Sequence, residues 1–342
     1  MSAIQRVKEA IEEIKKGNMV IMLDDEDREN EGDLVYAAAL SDHKKVNFMA
    51  THAKGLICVA VTKETANRLE LNPMVASNTS SYETAFTVSV DCAKASTGIS
   101  AGERDDTIRI LANPVAKAAE LVRPGHIFPL IAKDGGALVR TGHTEGSVDL
   151  CKLAGLAGEA VICEIMKEDG TMARRDDLDI FADQHNMKQV YISDIIEYRM
   201  AHECLVEELS SDEDEFFNTK VTKKIFKDHL DNKHTIIQFG DIQETSLVKF
   251  HNIKPDIDLF LNENKLQSML KSINFLQSKG GLLIFLEDNN EDNENIKDYG
   301  IGAQVLNKLG VKDIKLLSSK GRHSFVGLNG FGLNIKEEIK ID

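Results

Sequence analysis

Residues 19–40 read MVIMLDDEDRENEGDLVYAAAL, an acidic loop between two apolar runs. The runs 19–23 and 34–40 predict buried strands, because both are short, apolar and bounded by polar residues. The ten residues between them hold seven carboxylates and one cation, Arg28. Because strands hold both ends of this loop, the carboxylates are forced together, which is costly without a compensating cation. A hard divalent cation such as Mg²⁺ prefers oxygen ligands and suits this loop.

Helices and strands are predicted to alternate up to about residue 199, as in a layered α/β domain. Beyond an N-terminal amphipathic helix capped by Ser2 and ended by Gly17, helices are predicted at 42–53, 105–111, 115–121 and 176–186. Strands are predicted at 56–62, 85–91, 126–132, 159–166 and 189–192. The strand–loop–strand around the acidic loop indicates that the sheet is mixed. We therefore predict a three-layer α/β (α+β) domain, followed by a second, smaller α/β domain.

The length of 342 residues also favours two domains. Residues 207–215 are polar and acidic, which is typical of a linker, and no cysteine follows Cys204. We predict a first domain at 1–200, an acidic linker at 201–218 and a second domain at 219–342.

The formal net charge of −15 argues against binding to nucleic acid or to anionic membranes. An anionic substrate must therefore be held by local cations or by a metal. The chain has no apolar run as long as the ~20 residues of a membrane span, and its N-terminus lacks a signal-peptide core. Its five cysteines are odd in number and lack CxxC spacing, which predicts reduced thiols and a cytoplasmic protein.

A second group of candidate residues lies in RTGHTEG, residues 140–146. The apolar run 137–139 before it and the apolar segment after it predict a strand, a tight turn and a helix. Gly142 permits a close ligand approach, and Thr144 is placed as an N-cap whose free N–H groups would bind phosphate beside Arg140. A capped helix with a surface histidine is the simpler interpretation of such a motif alone. His143 would, however, supply the nitrogen ligand that the acidic loop lacks.

Two further residues are candidates. His126 follows Pro124 and Gly125 at the start of a predicted strand, and by itself it is a turn residue more often than a catalyst. Glu164 lies inside the apolar run 161–166, where a carboxylate is expensive unless it is paired or functional. Strand periodicity could equally turn it to solvent, and the sequence leaves that choice open.

Together these segments resemble 3,4-dihydroxy-2-butanone 4-phosphate synthase, a family of riboflavin biosynthesis. The matching strings are DDEDRENEGDL, RPGHIFPL, RTGHTEGSVDL and GEAVICEI followed by DGTMAR, in family order, and they cover residue 1 to about 199. The resemblance implies conversion of D-ribulose 5-phosphate into L-3,4-dihydroxy-2-butanone 4-phosphate and formate. It also implies Mg²⁺, with Mn²⁺ as an alternative, and a homodimer with sites near the interface.

Carried over motif by motif, the resemblance implies roles for individual residues. Glu29 and His143 would be the metal ligands. His126 and Glu164 match positions that are essential for catalysis, and Glu31 would line the site. The residues that would bind substrate are Arg28, Glu29, Asp33, Cys58, Arg140, Thr141, Gly142, His143, Thr144 and Glu164, with Arg140 and Thr144 near the phosphate.

The chemistry fits these residue types. A ketose must lose a proton beside its carbonyl to form an enediol, and a divalent cation on the two oxygens lowers that barrier. Carboxylates and histidine can carry the protons. We predict Asp33, or a neighbouring carboxylate of the acidic loop, as the first base, with His126 and Glu164 as a later proton relay.

The end of the chain resembles GTP cyclohydrolase II at residues 298–306, 309–311 and 325–333. That family holds zinc with three cysteines, and this half has none. His251 to Ile253 stand where the first cysteine segment would fall, and the acidic run 287–294 replaces a nucleotide loop rich in arginine and glycine. Because thiolates cannot hold zinc here and acidic residues repel a triphosphate, we predict no zinc and no GTP cyclohydrolase activity.

Three alternatives stay open from the sequence. One is a bifunctional enzyme that also carries GTP cyclohydrolase II activity, which the missing cysteines oppose. Another is a regulatory protein with an inactive synthase half, which the presence of all proposed ligands and catalytic groups opposes. The last is a calcium-binding loop without chemistry, which lacks the spacing of an EF-hand and leaves His143 unexplained.

Overall fold

The structure is a computed structural model, and it describes residues 1–82, 84–229, 231–243, 245–253, 257, 259, 261–287, 296–318 and 333–341. The chain divides into two compact units, Met1–Tyr198 and Arg199–Asp342. None of the helices in the described ranges is long and apolar enough to cross a membrane.

The first unit alternates helices and strands, as its sequence pattern predicts. Its strands are β1 (Val20–Leu23), β2 (Gly32–Ala37), β3 (Cys58–Val61), β4 (Val90–Cys92), β5 (Leu121–Ile131), β6 (Ala160–Glu164) and β7 (Lys188–Tyr191). Its helices are α1 (Ala3–Lys15), α2 (His43–Phe48, continued by a π-helical turn at Met49–Ala53), α3 (Lys63–Arg68), α4 (Ala101–Ala112), α5 (His143–Leu153) and α6 (Arg175–His185). A further helix, α7 (Ile192–His202), begins in this unit and continues past its last residue, Tyr198. The side chain of Ser2 accepts a hydrogen bond from the Gln5 N–H, which confirms the predicted N-cap.

The strands form one mixed sheet in the order β4-β5-β3-β6-β2-β1-β7. On one face, Ile21 and Leu23 join a buried cluster with Val46 of α2 and Ile108 of α4. On the opposite face Met22 meets α5, which also contacts α1. Because the side chains of a strand alternate between faces, β1 is covered on both sides. The predicted three-layer domain with a mixed sheet is therefore confirmed.

Three local predictions in this unit are wrong. Residues 115–121 form only a short 3₁₀ turn at Ala118–Glu120, because the Glu120 carbonyl accepts the Ala93 N–H beside β4 and Leu121 pairs with Cys92. The run 137–139 is not a strand. It belongs to another 3₁₀ turn, because the carboxylate of Asp149 on α5 accepts the Ala137 N–H at 2.8 Å.

The third wrong prediction concerns the start of α5. The helix begins at His143 with Gly142 as its N-cap, so Thr144 lies inside the first turn and does not cap it. A Cβ on Gly142 would lie 2.3 Å from Nη1 of Arg140. The glycine therefore makes room for the arginine side chain at the helix start.

The second unit is a smaller α/β unit with its own sheet. Its strands are β8 (Val206–Phe216), β9 (Thr219–Asp228), β10 (Lys233–Phe239), β11 (Thr245–Asn252), β12 (Gly281–Leu286), β13 (Asp313–Ser318) and β14 (Asn334–Lys340), in the order β14-β13-β11-β12-β10-β9-β8. Its helices include α8 (Glu263–Lys279) and α9 (Ile296–Lys308). Leu276 of α8 packs with Phe239 and Leu283 in the core.

The linker predicted at 201–218 is wrong. Helix α7 runs to His202, and residues 206–216 form the edge strand β8, which pairs along its length with β9. Three of the six acidic residues in this segment face a lysine across the ladder: Glu207 faces Lys227, Asp212 faces Lys223 and Glu215 faces Lys220. Opposite charges directly across two strands stabilise the pairing, and charge on an edge strand blocks aggregation.

Candidate active site

The acidic loop is organised around the carboxylate of Asp24, which is buried at the end of β1. Its Oδ1 accepts the Glu31 N–H at 2.8 Å, and its Oδ2 accepts the Glu29 N–H at 3.0 Å. Arg28 Nη1 donates to Asp24 Oδ2 at 2.9 Å and to Glu29 Oε2 at 2.6 Å. The loop therefore wraps one of its own carboxylates and presents Glu29 beside it. In the sequence pattern Asp24 is one of seven carboxylates, and nothing distinguishes it from the others.

His143 meets this loop from the first residue of α5, and its side chain is only 7% exposed. Its Nδ1 lies 3.6 Å from Glu29 Oε2, and its Nε2 lies 3.9 Å from Asp33 Oδ1. One ligand atom each from Asp24, Glu29 and His143 lie within 4.8 Å of one another. In the described parts of the chain, this is the one group of three such residues that could hold a metal ion.

The donor set of this group suits a divalent cation. Across the described residues, Asp33 Oδ1 and His143 Nε2 are among the few buried polar side-chain atoms without a hydrogen-bond partner. Such atoms are costly unless a bound group satisfies them. One imidazole and two carboxylates form a site for a catalytic metal with open positions. Glu29 and His143, the two predicted ligands, lie in this group together.

Burial and charge shift the pKa values of these groups. Burial lowers the pKa of His143, but the charges of Asp33 and the contact with Glu29 outweigh it and raise that pKa to about 9. Burial raises the pKa of Asp33 to about 7, and the charges of Glu164 and Glu29 add to the rise. Burial also opposes ionisation of Glu29, yet His143 and Arg28 bring its pKa below the usual value.

Glu164 lies directly opposite Asp33, because the two residues are partners in the β2–β6 ladder. Directly opposed residues point to the same face of a sheet, so Glu164 turns towards the site and not to bulk solvent. Its Oε2 accepts the Leu56 N–H at 2.8 Å. Cys58 is buried nearby on β3, where burial and the charges of Glu164 and Asp33 raise its thiol pKa. The structure thus gathers two predicted residues, Glu164 and Cys58, around Asp33.

Arg140 is held at the start of α5 by two contacts. Its Nη1 lies 2.6 Å from Glu145 Oε2, and its Nη2 donates to the Tyr82 carbonyl at 2.8 Å. Tyr82 also donates its hydroxyl to the Arg28 carbonyl at 2.8 Å, and its ring lies under the Arg28 guanidinium. Tyr82 therefore connects two predicted substrate-binding arginines. The sequence analysis missed it, since a tyrosine in a polar loop carries no local signal.

Within one chain, His126 lies away from this group. Residues 123–126 bulge out of β5, because Asp91 pairs with Val122 whereas Val90 pairs with Ile127. Three strand spacings separate β5 from β2, roughly 14 Å at about 4.8 Å per strand. The imidazole is paired instead with Asp91 of β4, at 2.7 Å. No sequence pattern points to Asp91, which lies 35 residues away from His126 in the chain.

Two segments singled out in the second unit lie largely outside the described residues. They are the acidic run, at residues 288–294, and the last segment similar to GTP cyclohydrolase II, at residues 325–332. His251 is half-buried on β11 and stacks edge-on against Phe285. No cysteine follows Cys204 in the sequence.

Comparisons with known proteins match both units of the chain to known families. A sequence profile described as 3,4-dihydroxy-2-butanone 4-phosphate synthase matches residues 8–198, and one described as GTP cyclohydrolase II matches residues 287–340. A 3,4-dihydroxy-2-butanone 4-phosphate synthase of Sulfurospirillum multivorans is 57% identical over 340 residues, which is 99% of this chain and 96% of that protein.

Two solved structures are similar as well. The crystal structure of RibBX, a two-domain 3,4-dihydroxy-2-butanone 4-phosphate synthase from A. baumannii, is 36% identical with a TM-score of 0.82, over 98% of this chain and 99% of that one. A 3,4-dihydroxy-2-butanone 4-phosphate synthase in complex with two magnesium ions is 40% identical with a TM-score of 0.55. That match covers 58% of this chain and 97% of the other.

Proposed function

The chain belongs to the 3,4-dihydroxy-2-butanone 4-phosphate synthase family, and from this premise we propose how its first unit performs the reaction. The enzyme converts D-ribulose 5-phosphate into L-3,4-dihydroxy-2-butanone 4-phosphate and formate in riboflavin biosynthesis. The observation that carries the proposal is the meeting of Glu29, His143 and Asp33 at the acidic loop.

Mg²⁺ is the proposed metal, held by Glu29 and His143, with Mn²⁺ as an alternative. A similar enzyme in complex with two magnesium ions supports this choice. The Asp24 carboxylate accepts hydrogen bonds on both oxygens, so it serves first to fold the loop. When bound, the metal would supply Lewis-acid stabilisation of the charge that develops on the ketose.

The proposed phosphate site is the start of α5. Arg140 is held there by Glu145, and Thr144 is buried in the first helical turn. Free backbone N–H groups at a helix start attract an anion, and a guanidinium adds two donors in a fixed fork. Thr141 and Gly142 form the backbone that leads into this turn. Because the whole chain is strongly acidic, this local positive end is needed to hold the substrate.

Asp33 is proposed as the base that takes the first proton, from the carbon beside the substrate carbonyl. A pKa of about 7 places this carboxylate where a general base works best at neutral pH. Its Oδ1 is buried beside His143, which shields the proton from water. Glu164 lies opposite on β6 and is proposed to carry a later proton. Arg28 and Cys58 border the same space.

A homodimer is proposed, with the site near the interface. His126 is the proposed partner of Glu164 in proton transfer, and its side chain is 43% exposed and far from Asp33 in the same chain. The His126 of a second copy could reach the site across such an interface. The free thiols of all five cysteines support the proposal of a cytoplasmic enzyme.

The test is formate release from D-ribulose 5-phosphate by the purified protein, with Mg²⁺ and with EDTA. We expect turnover that EDTA abolishes and that Glu29→Gln lowers by about 10²-fold or more, the scale of a lost catalytic group. Glu26→Gln is the matched control, because Glu26 lies in the same loop with its side chain 66% exposed. Equal activity in both variants, or full activity in EDTA, would overturn the proposal.

A further inference from the structure

The buried carboxylate of Asp91 holds the imidazole of His126, and the proposed reaction gives Asp91 no role. Asp91 Oδ2 lies 2.7 Å from His126 Nδ1, and Asp91 Oδ1 accepts the His126 backbone N–H at 2.8 Å. A carboxylate has only acceptors to offer, so the ring proton must be on Nδ1. Nε2 is then the nitrogen left to accept or release a proton at the exposed edge of the ring.

The backbone around Asp91 and His126 leaves little room for these two side chains to be arranged differently. The bulge of β5 packs onto β4 so closely that a Cβ on Gly125 would lie 2.1 Å from the Val90 carbonyl carbon. Gly98 covers the pair from the other side with a φ of +80°, and a Cβ there would lie 2.0 Å from Asp91 Oδ2 and 2.8 Å from His126 Nδ1. Glycine is therefore required at both contacts.

The loop that carries Gly98 is itself anchored by a carboxylate. Glu103 accepts hydrogen bonds from the Ser96 N–H at 2.6 Å, the Ser96 hydroxyl at 2.7 Å and the Gly98 N–H at 3.2 Å. These bonds bring the pKa of Glu103 to about 2, so the carboxylate is ionised over the working pH range. The Asp91–His126 pair is thus fixed from two strands and one anchored loop.

We propose that Asp91 is a positioning residue that holds His126 in the Nδ1–H tautomer with Nε2 directed outwards for proton transfer. This inference rests on the proposed function, because it takes His126 as a proton-transfer group. Asp91 acts through the imidazole and does not touch the substrate. A side chain that merely closed the β4–β5 bulge would hold the backbone through Oδ1 and would leave the tautomer without consequence.

Asp91→Asn separates these two roles. The amide keeps the shape and can still accept the His126 N–H through its oxygen, but its NH₂ then faces Nδ1 as a donor and favours the opposite tautomer. We expect kcat for formate release to fall by about 10²-fold, with KM for D-ribulose 5-phosphate within about threefold, as for a lost general acid or base. Because the two residues act as one unit, Asp91→Asn should cost nothing further when added to His126→Gln.

A matched control exists in the second unit. The carboxylate of Asp228 is also buried, lies 3.2 Å from Nε2 of His234 and accepts a backbone N–H. Asp228→Asn therefore makes the same change beside a histidine outside the site. We expect it to leave kcat and KM for formate release at their wild-type values.

The tautomer itself is read by ¹⁵N NMR of the histidine rings, with the His126 signals assigned by their loss in His126→Gln. We expect a protonated Nδ1 in the wild type and the opposite tautomer in Asp91→Asn. A wild-type spectrum with the proton on Nε2 alone overturns the inference even where Asp91→Asn does not fold. Native kcat in a folded Asp91→Asn protein overturns it as well. If His126→Gln keeps full activity, the assignment of His126 in the proposed function fails instead.

Discussion

Replacing Gly55 by alanine should disable Glu164 without altering any charged residue. A Cβ on Gly55 would lie 2.3 Å from the backbone oxygen of Glu164, 2.7 Å from its Oε2 and 2.8 Å from its backbone nitrogen. The methyl group therefore cannot be accommodated unless the backbone at residues 55–56 moves away from β6. That movement separates the Leu56 N–H from Glu164 Oε2, which now lie 2.8 Å apart.

The cost follows from these contacts. Overpacking against backbone costs about 1–3 kcal/mol, and loss of a hydrogen bond to a carboxylate costs about 1.5–3 kcal/mol. We expect the free energy of unfolding, measured in urea, to fall by roughly 2.5–6 kcal/mol, a large part of the 5–15 kcal/mol typical of a domain. Because Glu164 is a proposed proton carrier, kcat for formate release should fall by about 10²-fold in the protein that remains folded.

The control for this prediction is Gly102→Ala in α4. A Cβ there would meet no atom within 4 Å, and a helical alanine is more stable than glycine by about 1 kcal/mol. Formate release and urea unfolding should be measured on both variants with Mg²⁺ present. A Gly55→Ala protein with native kcat and a free energy of unfolding within about 1 kcal/mol of wild type would refute the reasoning, since overpacking must cost more than that.

Two other predictions follow from the same site, and a third concerns the second unit. In EDTA, stability against urea should fall as pH rises from about 6.5 through 9, because the folded protein holds the His143 proton up to a pKa of about 9 and the unfolded chain releases it near 6.5. His143→Gln should flatten that fall. Arg140→Lys should raise KM for D-ribulose 5-phosphate by about tenfold and change kcat less, because a lysine cannot contact Glu145 and a phosphate through a fixed fork. The protein should release no formate from GTP, with or without added Zn²⁺, because no cysteine follows Cys204.

Each of these has a clear contrary result. A stability profile in EDTA that rises between pH 6.5 and 9 would show that His143 is not the protonated partner of these carboxylates. An Arg140→Lys enzyme with native KM would remove Arg140 from the phosphate site. Formate formed from GTP would show that the second unit holds a catalytic centre built from other ligands.

The metal-suited pair is the part of the site that could be predicted from sequence most directly. Glu29 belongs to a loop whose two ends are fixed by strands, so the crowding of its carboxylates follows from short-range pattern, whereas only the family resemblance singles out Glu29 among them. His143 was predicted from its place at a helix start, and the structure has that helix begin at His143 itself. The wrong N-cap prediction at Thr144 does not affect the predicted site, because the same helical turn still faces the acidic loop.

Other parts depend on strand pairing that no local pattern contains. Residues 207–215 have the composition of a linker, yet they form a strand because they pair with β9. Asp91 and His126 meet only because β4 and β5 are neighbours with a bulge between them. Composition and periodicity cannot reveal such partners, because they carry no information about which distant segment lies alongside.

The sequence by itself determined a layered α/β domain with an acidic loop suited to a divalent cation, since apolar runs, turn residues and charge are local properties, and its motifs carried the resemblance to the synthase family. The tertiary structure alone decided that Glu164 faces Asp33 and not solvent, a choice the sequence left open. That decision is made by the register of β2 against β6, which joins residues far apart in the chain. A slip of one residue would reverse the face of every side chain on the strand, so the site exists only when that register is right.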